Sequence, residues 1–247
     1  MLVGEPVSGE FWGILVGGYL LGSVPSAYLA ARRACGIDLR KYGSGNIGAT
    51  NLRRFASRRT AVPVIIFDSL KGMIMVVIAW RVGLPALEQL LVGLAAIIGH
   101  NWPVFLRFSG GRGVITTLGV GFIIPIVNSL ISSRVWALIA GIFIAIALAS
   151  RRLGRLTVGV CITIASFPLV AWLVTGSVPL TMGYLGLFLV LVIRRLTAAQ
   201  PVTIATMSKR QVLTNRLLFD SDIRDKAVWA ALVSQQHARH KEVICKE

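Results

Sequence analysis

Long apolar blocks separated by short polar runs dominate the chain. They occupy residues 11–31, 63–82, 90–108, 114–131, 135–149, 156–175 and 180–193. Within each block apolar residues fill every face, rather than one stripe of an amphipathic helix. A helix needs roughly 20 residues to cross the hydrocarbon core of a bilayer, and each block reaches or approaches that length. The pattern predicts an all-α, polytopic membrane protein of about seven transmembrane helices. The fourth and fifth blocks are short and closely spaced, so a re-entrant pair is an alternative there. Pro25 lies inside the first block, in Gly22-Ser-Val-Pro-Ser-Ala-Tyr28, and predicts a kink with hydroxyls nearby. After residue 196 the character changes: the sequence becomes more polar, with mixed charges and a helix-like stretch at 222–236. Residues 1–196 therefore read as a membrane domain, and 197–247 as a cytoplasmic tail of one or two short helices, too small to bury a core alone.

Composition agrees. The chain is 55% hydrophobic, only 15% charged, and has a mean hydropathy of +0.74. Soluble domains carry about a quarter charged residues, so most of this chain cannot form a water-facing surface. The net charge of +16 would suggest nucleic acid in a soluble protein. Here its distribution decides otherwise. With the N-terminus outside, 23 of the 26 Lys and Arg fall on inner segments; Arg81 and Arg134 fall outside and Lys71 lies within a span. That is the positive-inside pattern. It predicts an N-out, C-in, multi-pass protein of the cell (inner) membrane with no nucleic-acid partner. Cys35, Cys161 and Cys245 are dispersed and form no CxxC or Cys/His cluster, so neither a zinc site nor a disulfide framework is expected. The first block lacks the basic flank and cleavage site of a removed signal peptide and reads as a retained span.

The polar chemistry lies in two inner loops. Lys41-Tyr-Gly-Ser-Gly-Asn-Ile-Gly-Ala-Thr-Asn51 interleaves glycines with Ser44, Asn46, Thr50 and Asn51, between Arg40 and Lys41 on one side and Arg53 and Arg54 on the other. Glycine lets backbone N–H groups approach an anion in concave nests, and flanking arginines add charge-assisted contacts to phosphate. A flexible connection between two spans is the plainer reading, and the density of hydroxyl and amide side chains favours phosphate binding. Phe108-Ser-Gly-Gly-Arg-Gly-Val114 leads straight into a span, where free N–H groups and the helix dipole favour anions; a tight interhelical turn is an equal reading of that loop alone. Two such loops on one membrane face suggest a phosphorylated substrate held from two sides. Asp68 and Lys71, three residues apart, read as a self-neutralising pair, with a supporting role at the site as the alternative. His100 reads as a hydrogen-bonded interior residue.

The quoted segments, with Asp68-Ser-Leu-Lys-Gly72, Gly99-His-Asn101 and Gly110-Gly-Arg-Gly-Val114, occur in the order found in the bacterial acyl-phosphate:glycerol-3-phosphate acyltransferases of the PlsY type, which the chain resembles over roughly residues 11–195. The resemblance implies a seven-helix membrane enzyme whose active site faces the cytoplasm. It implies transfer of an acyl group from acyl phosphate to the 1-hydroxyl of sn-glycerol 3-phosphate, giving lysophosphatidate and phosphate. On that pattern Ser44, Arg54 and Asn46 are catalytic. Thr50, Asn51, Lys71, Gly110, Gly111, Arg112, Gly113 and Asn215 bind substrate. Two positions depart from it. The family usually has Lys where this chain has Arg112, which replaces a compact ammonium by a planar fork. The family's third motif, a His, then an Asn, then Arg-Leu, is replaced after the last span by Ile193-Arg-Arg-Leu196, while Asn215-Arg-Leu-Leu218 resembles its remainder, displaced along the chain.

Because an acyl phosphate is already activated, the expected catalysis is positional and electrostatic. Arg54, Arg112 and loop N–H groups hold the phosphates, Ser44 lies near the reacting centre, and the substrate phosphate takes the proton. The acyl chain lies in an apolar groove between spans. No metal or cofactor is expected, and the partners are the two substrates and membrane lipid, with the chain acting as a monomer. A transporter for a phosphorylated anion and a catalytically weak paralogue that binds glycerol phosphate are the rival readings.

Overall fold

A computed structural model describes residues 9–153, 156–198 and 208–219, together with Ala231. They fold into helices α1 (Gly9–Gly22), α2 (Ser26–Cys35), α3 (Ala49–Leu52), α4 (Arg58–Arg81), α5 (Ala86–Asn101), α6 (Val114–Val127), α7 (Ser133–Arg152), α8 (Leu156–Thr175), α9 (Val178–Thr197) and α10 (Lys209–Phe219). No strand occurs among the described residues. Six segments are long and apolar enough to cross a bilayer, counting α1 with α2 as Gly9–Cys35, and α6 is a shorter apolar helix. These seven correspond to the seven blocks. The helix-like stretch at 222–236 lies outside the described residues except for Ala231.

Local chemistry explains where the elements begin and end. The first span breaks at Ser23–Pro25, where proline has no N–H to continue the ladder, and α2 restarts at Ser26. Helix α4 begins five residues before the expected 63, because Ser57 caps it by accepting from the Thr60 N–H at 3.3 Å. Arg58 and Arg59 thus stand on its first turn rather than in the loop. Helix α5 ends at Asn101, ahead of Pro103, and a tight turn at Val104–Leu106 carries the third span to Leu106, close to the expected 108. The fifth block extends to a 20-residue helix, whereas the fourth is a 14-residue one.

Helix α5 is the hub, in contact with α1, α4, α6 and α9. Its approach to α1 depends on missing side chains. A Cβ on Gly22 would strike the backbone of Ala96, and one on Gly99 would strike the carbonyl of Tyr19. Small residues allow this close packing where lipid removes the hydrophobic drive between helices. At the far end of the bundle the Gln89 and Asn128 amides exchange hydrogen bonds of 2.7 and 3.1 Å, joining α5 to α6. Phe122, Phe143, Phe167 and Tyr184 stack edge-to-face and join α6, α7, α8 and α9. Helix α7 buries no residue at all, and Leu138 and Ile144 are each at least 60% exposed. Such faces belong against lipid.

Candidate functional site

The first loop is organised around one amide. Asn51 is buried, and its Nδ2 donates to the carbonyls of Tyr42 (2.9 Å), Asn46 (3.2 Å) and Leu39 (3.4 Å), while its Oδ1 accepts from the Ser44 N–H at 3.2 Å. Glycine is required at position 43, where φ is +59° and a Cβ would strike the Asn51 carbonyl oxygen. At the loop's entrance Asp38 caps the turn of residues 39–41 and pairs with Arg40 at 2.6 Å. The hydrogen bond from Arg40 holds the Asp38 carboxyl below the ordinary carboxylate range.

The second loop is clamped from three sides. Arg194, near the end of α9, donates to the carbonyls of Gly111 (2.8 Å) and Gly110 (2.7 Å), and its guanidinium lies 5.6 Å from the centre of the Trp102 ring. The Gly111 N–H donates to the His100 carbonyl at 3.0 Å. Side chains at 110 or 111 would collide with His100, and one at 111 would also press on the Ile47 carbonyl of the first loop at 2.7 Å. The glycines here permit the two loops and the end of α5 to touch. Gly113, with φ +67°, starts α6 and seats its first turn over the Asn101 amide.

Beneath both loops lies a buried charge cluster. The Lys71 ammonium meets Asp68 Oδ1 at 3.0 Å, the Gly22 carbonyl at 3.0 Å and His100 Nδ1 at 2.7 Å. Asp68 Oδ1 also accepts from Ser26 Oγ at 2.8 Å, and the Asp68 carbonyl accepts from Thr116 Oγ1 at 2.8 Å. Three acceptors use the three ammonium donors, so the cluster fastens α1, α2, α4, α5 and α6 together. With Lys71 donating to Nδ1, a neutral His100 ring carries its proton on Nε2, the nitrogen beside Gly111.

The loops close over a cavity of about 290 Å³. Its polar wall is Asn46, Thr50, Asp68, His100, Arg112 and Arg195; its apolar wall includes Ile65, Val114, Ile115, Leu118 and Val160. Gly113, Val114 and Ile115 present the start of α6 to it, the positive end of the helix dipole. Among the described residues, none offers a hydrogen bond to the buried Asn46 Oδ1. Among the described residues no three His, Cys, Asp or Glu side chains gather as a metal-ligand set.

Of the residues expected at the site, the structure brings Asn46, Thr50, Arg112 and Gly113 to the cavity, with Gly110 and Gly111 just behind it. It places others differently. Asn51 is used up inside the first loop and Lys71 inside the charge cluster. Ser44 is buried in the loop and Arg54 is exposed on the turn after α3, so neither lines the cavity. Asn215 is buried in α10, which packs on α8 and α9. The sequence pattern gives no site role to Arg194 or Arg195, in Ile193-Arg-Arg-Leu196. Their signal was position: two arginines at the inner end of the last span, where one lipid-facing residue would suffice.

Residues 12–203 match the glycerol-3-phosphate acyltransferase family. The chain belongs to that family. It is 39% identical to glycerol-3-phosphate acyltransferase 4 of Dehalococcoides mccartyi (strain CBDB1), over 91% of this chain and 94% of the relative. A glycerol-3-phosphate acyltransferase of Desulforudis audaxviator (strain MP104C) is 45% identical over 53% of this chain and 66% of its own. Among solved structures, the integral membrane glycerol 3-phosphate acyltransferase PlsY in its glycerol 3-phosphate form superposes with a TM-score of 0.62 at 30% identity, covering 76% of this chain and 88% of that one. The lysophosphatidic acid form of PlsY superposes equally well, at 29% identity. As a member of this acyltransferase family, the chain has both glycine-rich loops inside the matched region, whereas α10 lies beyond it.

Proposed function

We propose that the protein transfers an acyl group from acyl phosphate to the 1-hydroxyl of sn-glycerol 3-phosphate, giving lysophosphatidate and inorganic phosphate for phospholipid synthesis. The observation that carries this reading is the amphiphilic cavity, where two glycine-rich loops some sixty residues apart meet beside Arg112 and the start of α6. Its polar wall suits phosphoryl oxygens and its apolar wall a fatty chain. The glycerol hydroxyl attacks the acyl carbonyl carbon, the bond to phosphate breaks, and the hydroxyl proton passes to a phosphate oxygen of the substrate. Arg112 and the α6 N-terminus stabilise the anionic oxygens, and Asn46 Oδ1 accepts from the attacking hydroxyl and orients it. The acyl chain lies along Leu118 and Val160 between α6 and α8.

Ser44 and Arg54 flank Asn46 and Thr50 along the first loop, outside the cavity lining, and on the family pattern we assign them catalytic roles. We further propose that the chain acts as a monomer. The site would face the cytoplasm of the cell membrane, with the N-terminus outside.

The deciding experiment supplies purified protein in lipid nanodiscs with palmitoyl phosphate and radiolabelled glycerol 3-phosphate. Labelled lysophosphatidate is expected, with a loss of about a hundredfold or more in Arg54→Ala. Absence of product from folded wild type would reject the reaction, and full turnover in Arg54→Ala would reject that residue's role.

A further inference from the structure

We propose that the ring stack centred on Phe167 is a stop that sets the length of acyl chain the protein accepts. This deepens the proposed function and rests on it, since only a bound acyl chain gives such a stop meaning. Two cavities lie along one seam between α6 and α8. On α6, Ile115 and Leu118 line the polar-walled cavity, while Phe122 and Pro125, further along the same helix face, line a second. On α8, Val160 lines the first, and Phe167, Val170 and Val174 line the second. The second cavity holds about 50 Å³ of free space behind mainly apolar walls, including Leu130, Trp136 and Leu180.

Aromatic rings cross the seam where it passes from one cavity to the other. Phe122 and Phe167 meet edge-to-face with centres 5.6 Å apart, and both pack on Phe143, at 5.4 and 5.8 Å. Tyr184 closes the remaining side of Phe167 at 5.9 Å. The stack is stiff. Phe167 is buried with its ring against the backbone of Gly121, where a Cβ would strike it, and the Tyr184 hydroxyl donates to the Gly121 carbonyl at 3.1 Å. A ring packed on that many sides cannot move aside cheaply for an extra methylene. Depth turns the stack into a ruler. From Gly113 to Phe122 the helix rises about 13 Å, at roughly 1.5 Å per residue. Half of the roughly 30 Å hydrocarbon core, the depth that one leaflet's chains fill, is about 15 Å. A donor whose phosphate is held at the start of α6 therefore reaches the stack at about the length of an ordinary membrane acyl chain.

The test is a competition between chain lengths. Full-length wild type, Phe167→Ala, Phe167→Leu, Leu118→Trp and Gln89→Leu, each in nanodiscs, receive glycerol 3-phosphate with equimolar lauroyl, palmitoyl and arachidoyl phosphates. Mass spectrometry resolves the lysophosphatidates. Every variant meets the same mixture, so partition of the donors into lipid cancels when product ratios are compared. Wild type should disfavour the arachidoyl chain. Phe167→Ala should raise the arachidoyl-to-palmitoyl ratio about tenfold or more, the discrimination that even one methylene can command in an apolar pocket. Phe167→Leu should raise it by less. Leu118→Trp, one turn before the stack, should instead raise the lauroyl-to-palmitoyl ratio. Gln89→Leu breaks the Gln89–Asn128 pair away from the seam and is the destabilised control, with wild-type ratios expected. A role confined to packing would lower the melting temperature and total product of the Phe167 variants with ratios unmoved, and that result would overturn the proposal. Should Phe167→Ala fail to fold, unmoved ratios in both Phe167→Leu and Leu118→Trp would overturn it equally. So would a wild type that uses arachidoyl phosphate as readily as palmitoyl phosphate. Wild type that makes no lysophosphatidate from any donor would sink the acyltransferase reading, and the chain stop with it.

Discussion

The residues with the clearest energetic consequences are the buried charges. Asp68 and Lys71 are 4% and 1% exposed and are joined at 3.0 Å. Replacing one partner strands the other, which in buried pairs costs about 3–5 kcal/mol, whereas removing both with similar-sized apolar groups costs far less. Asp68→Asn should therefore lower the melting temperature in detergent more than the double variant Asp68→Leu/Lys71→Met does, and equal losses would deny the pairing its structural weight. On the proposed function Arg112 has the opposite profile, because its main role is to hold bound substrate. Arg112→Ala should reduce kcat/KM by about 10²–10³-fold with little change in melting temperature. Arg112→Lys, which restores the residue usual in the family, should recover charge but not the bidentate fork; an alanine variant with wild-type kcat/KM would remove Arg112 from the site. At this scale the sequence was legible in chemical type and less so in role. Asn51 sits in the same polar loop as Asn46, and no spacing distinguishes the amide that faces the cavity from the one that folds the loop. Only the direction of each side chain does.

Helix existence was legible because lipid imposes it: backbone groups in hydrocarbon must bond within their own segment, so a long apolar run has one outcome. Boundaries were less so. The Ser57 cap and the chain reversal at Pro103 are local events whose effect depends on what packs nearby. Close helix contacts were invisible as well, since a glycine in an apolar run looks the same whether or not another backbone lies against it. Gly99 is the sharpest case: a Cβ there would strike the Tyr19 carbonyl and crowd the Ser23 N–H at 2.9 Å. Neither neighbour is a side chain that can rotate away. Gly99→Ala should cost about 1–3 kcal/mol of stability and, because His100 follows directly, should also reduce turnover. An alanine variant as stable as wild type would mean that α1 and α5 can separate freely. The pairing of α9 with α10 makes a parallel claim for the tail. Arg216 Nη1 donates to the Leu196 carbonyl at 2.8 Å, so Arg216→Ala should cost about 0.5–1.5 kcal/mol of stability, read as a lower melting temperature, while an unchanged melting temperature would detach α10 from α9.

For the whole molecule, the alternation of spans sorts the charges. Following the chain from α2 to α9 puts Arg32 and Arg33, Arg58 and Arg59, Arg151 and Arg152, and Arg194 and Arg195 at the end of the bundle that carries both glycine loops. Arg81 and Arg134 stand at the other end, with the Gln89–Asn128 pair. On the proposed function the cavity needs cations on its own account, and the rule that retains Lys and Arg on the cytoplasmic side is independent of any substrate. That the two requirements select the same end is the physical reason to expect the active site on the cytoplasmic face. A direct check replaces the native cysteines by serine and adds one cysteine at a time, at Arg33 or at Arg134, both exposed. In intact cells a membrane-impermeant maleimide should label Arg134→Cys at once and Arg33→Cys only after permeabilisation. The reverse pattern would turn the bundle over. It would also place the phosphate-binding end where neither glycerol 3-phosphate nor acyl phosphate made inside the cell could reach it without transport, so orientation and function stand or fall together.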